Sequence, residues 1–347
     1  MALTLTTLAT LDAADFDTII DARSPAEFAE DHLPGAVNLP VLDDGERARV
    51  GTIYKQVCPF DARKVGAALV ARNAARHIEG PLADKPGGWR PLVYCWRGGQ
   101  RSNSFASILS QIGWRAEVLD GGYKSWRRLV VAALYDRPVP APVTVLDGNT
   151  GSAKTEVLAR LAALGVQVVD LEGLANHRGS LFGAMPGGQP GQKAFEGRLA
   201  LALARLDPGR PVLVEAESSK IGDLRLPPQL WKAMCAAPRI AIAAPPEARA
   251  DYLARSYADL VADRDALLAV IERMRPMQPA ERIEHWLVQA RAGAFADLAL
   301  GLITHHYDPR YARQRARTGD GTVREIACET LDDAAIASLA ERIAGLV

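Results

Sequence analysis

The chain has 347 residues, 48% of them hydrophobic, and its 41 basic residues are balanced by 41 acidic ones. That length suits two domains of ordinary size with a core each, and zero net charge excludes a global field drawing the protein to nucleic acid or an acidic membrane, so any RNA contact has to come from a local patch. Arginine outnumbers lysine 33 to 8, which suits bidentate phosphate contacts, although a GC-rich genome is the commoner cause of such a skew. In chain order, short apolar runs at residues 18–20, 91–94 and 116–119 end in Asp21, Cys95 and Asp120, and helix-like stretches such as 102–112 follow them. This is the rhythm of a parallel α/β sheet. Residues 137–144, RPVPAPVT, carry three prolines and sustain neither a helix nor a central strand. They divide the chain into a first domain over residues 1–137 and a second over 138–347. The rhythm then resumes, with strands expected at 143–146, 166–170, 211–214 and 239–243, a helix at 154–164, and helical periodicity over most of 247–302. The fold class is therefore α/β, a parallel-sheet domain followed by a second α/β domain with a helical extension.

Four scattered cysteines, Cys58, Cys95, Cys235 and Cys328, lack metal-ligand spacing, which argues against a zinc site and against a disulfide framework. No metal is expected to be held by them. The first 22 residues hold no Lys or Arg and lack the apolar core of a signal peptide. No run is long enough to span a membrane, so the expected location is the reducing cytoplasm.

Two stretches carry chemistry. The first, YCWRGGQRS over residues 94–102, sets Cys95 after a buried strand and Ser102 at a helix start. Gly98 and Gly99 let the backbone curl, so that the N–H groups of the loop, with Trp96 and Gln100 in it, point inward towards the positive end of the helix. Arg97 and Arg101 reinforce that potential. A thiol in such a ring is expected to be partly thiolate and to attack sulfur, selenium or phosphorus centres. The second stretch, LDGNTGSAKT over residues 146–155, has the Walker A layout. Gly148, Asn149, Thr150, Gly151 and Ser152 form the phosphate cradle, Lys154 reaches terminal oxygens and Thr155 is placed for Mg²⁺. Ala153 stands where the motif has its second glycine, which puts ordinary ATP hydrolysis in doubt. Around this loop, Asp170, His177 and Arg178 lie in DLEGLANHRGSLFG, and Glu215 and Glu217 lie in VEAESSKIG at the end of a strand. One of Glu215 and Glu217, at the strand end where a Walker B carboxylate would lie, is expected to face the phosphates. The run HHYDPRYARQRAR offers Arg310, Arg313, Arg315 and Arg317, with two tyrosines, as candidate RNA contacts.

Residues 19–40, IIDARSPAEFAEDHLPGAVNLP, and residues 118–126, VLDGGYKSW, together with the cysteine loop, resemble the opening, closing and active-site signatures of rhodanese domains, in which the matching cysteine carries a transferable chalcogen as a persulfide. The five residues between Cys95 and Arg101 give a C-x5-R loop, wider than that of many sulfurtransferases. It suits a tetrahedral phosphate-sized anion, and leaves a Cys-dependent phosphatase open beside selenophosphate chemistry. Phosphatases of this fold usually have His where this chain has Tyr94. With GTIYKQVCPFDARKVGAALVARNAARHI (residues 51–78), DLEGLANHRGS, VEAESSKIG and HYDPRY added, the chain closely resembles the bacterial tRNA 2-selenouridine synthase family nearly end to end. That resemblance implies a transferase converting wobble 2-thiouridine to 2-selenouridine through an S-geranyl intermediate. It implies geranyl diphosphate and selenophosphate as substrates, Mg²⁺ as a candidate companion of the phosphates, no tightly bound cofactor, and tRNA and a selenophosphate-supplying enzyme as partners. The competing readings are a phosphatase or plain sulfurtransferase fused to a nucleotide-binding module, and a non-catalytic tRNA- or nucleotide-binding protein.

Overall fold

The computed structural model describes residues 2–318 and 323–347, with the side chains of Asp12, Asp259, residues 314–318 and Val323 outside the description. The chain forms two compact units, residues 1–137 with 190–205, and residues 138–189 with 206–347.

In the first unit, β1 (Ala2–Leu3), β2 (Thr18–Asp21), β3 (Ala36–Asn38), β4 (Pro91–Tyr94) and β5 (Glu117–Leu119) form one sheet in the order β1-β5-β4-β2-β3, with every pairing parallel. Ile20, Leu92 and Val93 are fully buried, as expected where helices cover both faces of a parallel sheet. Phe105 and Leu109 of the helix Gln100–Ile112 pack with Trp89, Val93 and Trp114 in the core. The central strand β4 thus runs straight into Cys95 and that helix. The helix Gln192–Ala204 belongs to this unit although it follows the proline-rich segment in sequence. Its buried Glu196 pairs with Arg127 and accepts hydrogen bonds from Tyr135 Oη (2.7 Å) and Gln192 Nε2 (2.9 Å). A buried carboxylate needs such partners to be tolerated.

In the second unit, β6 (Val143–Gly148), β7 (Gln167–Val169), β8 (Val212–Glu215), β11 (Arg239–Ala243) and β12 (Val323–Ala327) form a parallel sheet in the order β12-β11-β6-β8-β7. A two-stranded hairpin, β9 (Lys220–Ile221) with β10 (Leu224–Arg225), stands apart from it. From β6 the chain passes to the edge strand β7, returns to β8 beside β6 and then crosses to β11 and β12 on the other side. This change of direction leaves a crevice at the carboxyl end of β6, the usual binding place in open α/β sheets. One apolar cluster around Leu146, Leu158, Leu213, Ile242 and Leu339 stabilises the sheet, and a second around Ile271, Ile283, Trp286, Leu287 and Leu298 holds the helical extension together.

The expected strands fall on β2, β4, β5, β6, β7, β8 and β11. The sequence reading misses the β9–β10 hairpin, and it misses β1, β3 and β12, which are edge strands of two to five residues. A strand with one partner and little burial has no continuous apolar run to betray it. No helix among the described residues is long and apolar enough to cross a membrane.

Candidate functional site

Cys95 lies at the carboxyl end of β4 and is 3% exposed. Its Sγ is 3.2 Å from Ser102 Oγ and 4.0 Å from the carbonyl oxygen of Gly99. The helix that starts at Gln100 has no side-chain cap, so its first N–H groups stay available to an anion at the loop. Gly98 has a φ of +67°, and a Cβ there would come within 2.8 Å of the Leu119 carbonyl oxygen. The GG turn of the closing signature seats the loop from below. Gly122 has a φ of +57°, and a Cβ would fall 2.3 Å from the Cys95 carbonyl oxygen and 2.5 Å from the Gly98 nitrogen. Tyr123 and Lys124 donate their N–H groups to the carbonyls of Cys95 and Trp96 at 2.9 and 3.1 Å. Gly99, by contrast, has an ordinary negative φ of −92°, and a Cβ there would meet no atom within 4 Å. The curl therefore depends on Gly98 and not on both glycines.

The two arginines do not act together as expected. Arg97 is exposed. Arg101 is committed to Glu27 at 2.7 Å, and Glu27 also takes Arg47 at 2.8 Å. Burial alone would push the Glu27 carboxyl up, but Arg101 and Arg47 hold it below the usual range. The positive potential of this loop therefore comes from backbone N–H groups and Arg97, with Arg101 largely neutralised. A further pair lies beneath the loop. Arg23, 1% exposed, donates to Asp21 at 2.6 and 3.0 Å and to the Asp31 carbonyl at 2.6 Å, and it sits 4.2 Å from the centre of the Tyr123 ring. Trp96 stacks on the same Tyr123 at 5.2 Å. Tyr94 is fully buried and accepts from the Leu33 N–H at 3.1 Å, so the position before the cysteine is part of this packing. The Asp21–Arg23 pair explains the DAR of the opening signature, whose physical role cannot be read from spacing alone.

The second site gathers around the loop after β6. Ala153 adopts the left-handed conformation, φ 58°, as the residue before the helix Lys154–Ala163, and its methyl packs in the core. The Walker A curl is thus kept without its second glycine, at a cost of about 1–2 kcal/mol. Lys154 Nζ rests on the Gly148 carbonyl at 2.7 Å and Thr155 Oγ1 donates to Glu172 at 3.0 Å. The cleft above is lined by Asn149, Lys154, Asp170, Arg178 and Glu217, among others. Of the two expected glutamates, Glu217 lines this cleft. Glu215 is 1% exposed and accepts the Glu172 N–H at 2.6 Å, and burial, with Asp170 nearby, pushes its carboxyl well above the usual range. Glu217 is pushed up to about 8, by burial first and then by the facing Glu172. Asp170 caps a short helix by accepting from the Gly173 N–H at 2.7 Å. Arg178 lines the cleft over the Tyr257 ring at 4.6 Å. His177 instead holds the turn, its Nδ1 accepting from the Gly179 N–H at 3.1 Å, and burial lowers its pKa.

Two residues that the sequence reading misses anchor the loop. Arg249, 4% exposed, makes a double contact with Asp308 at 2.7 and 2.9 Å and donates to the Thr150 carbonyl at 3.2 Å, while Asn149 donates to Asp308 at 3.0 Å. Asp308 is the lone aspartate of the arginine-rich run, and that is its one signal in the sequence. Arg249 has no local signal. Glu172, two residues after Asp170, is likewise missed, because nothing in its spacing points to Thr155. Arg310 lines the cleft, whereas Arg313 is exposed and donates to the Pro309 carbonyl at 3.0 Å. The side chains of Arg315 and Arg317 lie outside the described residues.

Residues 5–129 match the rhodanese-like domain family, and residues 141–266 match the tRNA 2-selenouridine synthase AAA domain family. Proteins named tRNA 2-selenouridine synthase from Hahella chejuensis and Alcanivorax borkumensis are each 35% identical to this chain. The first alignment covers 85% of both chains, the second 88% of this chain and 91% of the other. The chain belongs to the tRNA 2-selenouridine synthase family. A member from Aeromonas salmonicida is 40% identical over 242 residues, which span 69% of this chain and 64% of that one. The two family-defining segments contain the two loops described above.

Gly122→Ala should destabilise the first unit by about 3 kcal/mol or more, since both φ and space forbid a Cβ, while Gly99→Ala should change stability by no more than about 1 kcal/mol; denaturant midpoints measure both, and equal effects would refute this packing. Glu217 keeps in the folded chain a proton that the unfolded chain releases near pH 4.5, so its contribution is present below that pH and is lost as pH rises towards about 8. Glu217→Gln should raise the urea midpoint at pH 8.5 and leave it nearly unchanged at pH 4.5.

Proposed function

We propose that this chain is a tRNA-modifying transferase that converts wobble 2-thiouridine to 2-selenouridine through an S-geranyl intermediate, with prenyl transfer at the P-loop and selenium entry at Cys95. The observation that carries the prenyl part is an apolar recess of about 70 Å³ lined by Phe182, Leu253, Leu267, Phe295 and Leu298. The recess shares Thr150, Tyr257 and Tyr307 with the P-loop cleft. A phosphate cradle that opens onto an apolar hole suits a ligand with a diphosphate head and a hydrocarbon tail better than a nucleotide, whose ribose and base are polar.

In this scheme the sulfur of the thiouridine forms a bond to C1 of geranyl diphosphate. The C1–O bond breaks with its electron pair left on diphosphate, and the N3 proton leaves the base. Backbone N–H groups of residues 149–155 and Lys154 hold the departing charge, the kind of stabilisation that grows in the transition state. Among the described residues no cluster of three or more acidic, histidine or cysteine ligands gathers for a metal. The chain offers a Mg²⁺ the Thr155 hydroxyl, with diphosphate and water as the other ligands, a pattern usual for Mg²⁺, and the ion would neutralise part of the leaving charge. Alkylation turns sulfur into a better leaving group. Selenium from selenophosphate then bonds to C2, geranylthiolate departs and takes up a proton, and water releases phosphate. Selenium keeps its oxidation state throughout, so no redox partner is needed. The loop around Cys95, with Arg97 and the open helix start, receives the selenophosphate.

Cys95→Ala should abolish selenation and leave geranylation intact, and Lys154→Ala should abolish geranylation. Mass spectrometry of wobble nucleosides after incubation with thiolated tRNA, geranyl diphosphate and selenophosphate reads both steps. Wild-type selenation by Cys95→Ala, or unimpaired geranylation by Lys154→Ala, would refute this division of labour.

A further inference from the structure

His306 lies in a π-helical turn, Ile303–Tyr307, a distortion often found at functional sites. It lines the P-loop cleft together with Lys154 and Arg178, yet it is 2% exposed. The side-chain amide of Gln278, which is not part of the cleft lining, lies 3.2 Å from His306 Nδ1. With the amide donating, Nδ1 is the acceptor and the ring proton sits on Nε2. That Nε2–H meets no acceptor among the described residues. Burial, with Arg310 nearby, holds the ring pKa down to about 4, so the imidazole is neutral at physiological pH. A neutral ring offers one donor and no charge. A buried donor left unmatched destabilises a fold. The atom itself is sealed from solvent, but its residue borders the cleft, so a ligand contact requires the ring to be uncovered as the ligand enters.

The identity of the ligand rests on the prenyl-transfer reading above. The amides of the P-loop and Lys154 are taken by diphosphate, and Tyr307, next to His306, borders the apolar recess. On a 2-thiouracil ring that enters between them, the sulfur must stay free to attack. N3 is a donor until its proton leaves. The acceptor that remains on that edge is O4. We propose that His306 contacts the substrate base, donating its Nε2–H to O4 of the 2-thiouracil ring during prenyl transfer.

The test compares prenyl transfer from geranyl diphosphate to an anticodon stem-loop carrying 2-thiouridine or 2,4-dithiouridine, with alkylation at sulfur 2 resolved chromatographically. Sulfur is a poor acceptor, so the wild type should lose about tenfold in kcat/KM on the dithio substrate, the scale of one hydrogen bond. His306→Phe should lose about tenfold on the parent substrate and nothing further on the dithio one. His306→Gln, whose amide keeps a donor, should stay within about threefold of wild type on the parent and keep its sensitivity to the O4 replacement. Losses that multiply in His306→Phe, or equal kcat/KM on the two substrates in His306→Gln, overturn the contact; should the Phe variant not fold, the Gln variant decides. A wild type that fails to prenylate the parent sinks the prenyl-transfer reading itself, and is told apart because it needs no variant.

Discussion

An α-helix begins with N–H groups that have no partner within the helix, and both sites of this chain are built on that shortfall. The helices starting at Gln100 and Lys154 each follow the carboxyl end of a central parallel strand, and neither start carries a side-chain cap. In each, a glycine-bearing loop joins strand to helix, and Cys95 or Lys154 stands at one end of it. The curl is enforced locally. In the first unit Gly98 and Gly122 approach backbone too closely to carry a side chain. In the second, Ala153 accepts a left-handed backbone so that the loop keeps its shape.

Charge around the two loops is managed differently. In the first, Glu27 withdraws Arg101 from the site and Asp21 neutralises the buried Arg23, so the positive potential of the loop rests on backbone dipoles more than on side-chain charge. In the second, the buried Arg249–Asp308 pair ties the P-loop carbonyl of Thr150 to the helical extension. Such a pair adds little net stability once its desolvation is counted, but it fixes which segments meet. That places the aromatic residues Tyr257 and Tyr307 where phosphate cradle and apolar recess adjoin. Glu217, facing Glu172 and pushed up to about 8, leaves the acidic side of the cleft with less negative charge than two ionised carboxylates would.

What is legible in the sequence is local. Strand, glycine, Cys95 or Lys154, and helix start lie together within about ten residues in both loops, so periodicity and turn chemistry reveal them. Buried strands such as β4 and β8 also announce themselves by unbroken apolar runs, whereas the edge strands β1, β3 and β12 do not. Long-range partners are invisible in this way. Arg101 meets Glu27 across 74 residues and Arg249 meets Asp308 across 59, and no spacing rule links them. The choice between Glu215 and Glu217 stays open in the sequence for a related reason. Alternation puts residues two apart on the same face of a strand, but β8 ends at Glu215, and only the neighbouring chain at Glu172 decides that Glu215 is sealed while Glu217 lines the cleft.

The central claim is that two separate rings of backbone amides receive two different phosphate-bearing ligands. Backbone amide ¹H–¹⁵N spectra of the full chain, titrated first with inorganic diphosphate and then with selenophosphate, test it directly. Diphosphate should shift the amides of residues 149–155 and spare 96–102, and selenophosphate should shift 96–102. Both ligands shifting the same loop, or neither shifting either, would contradict it.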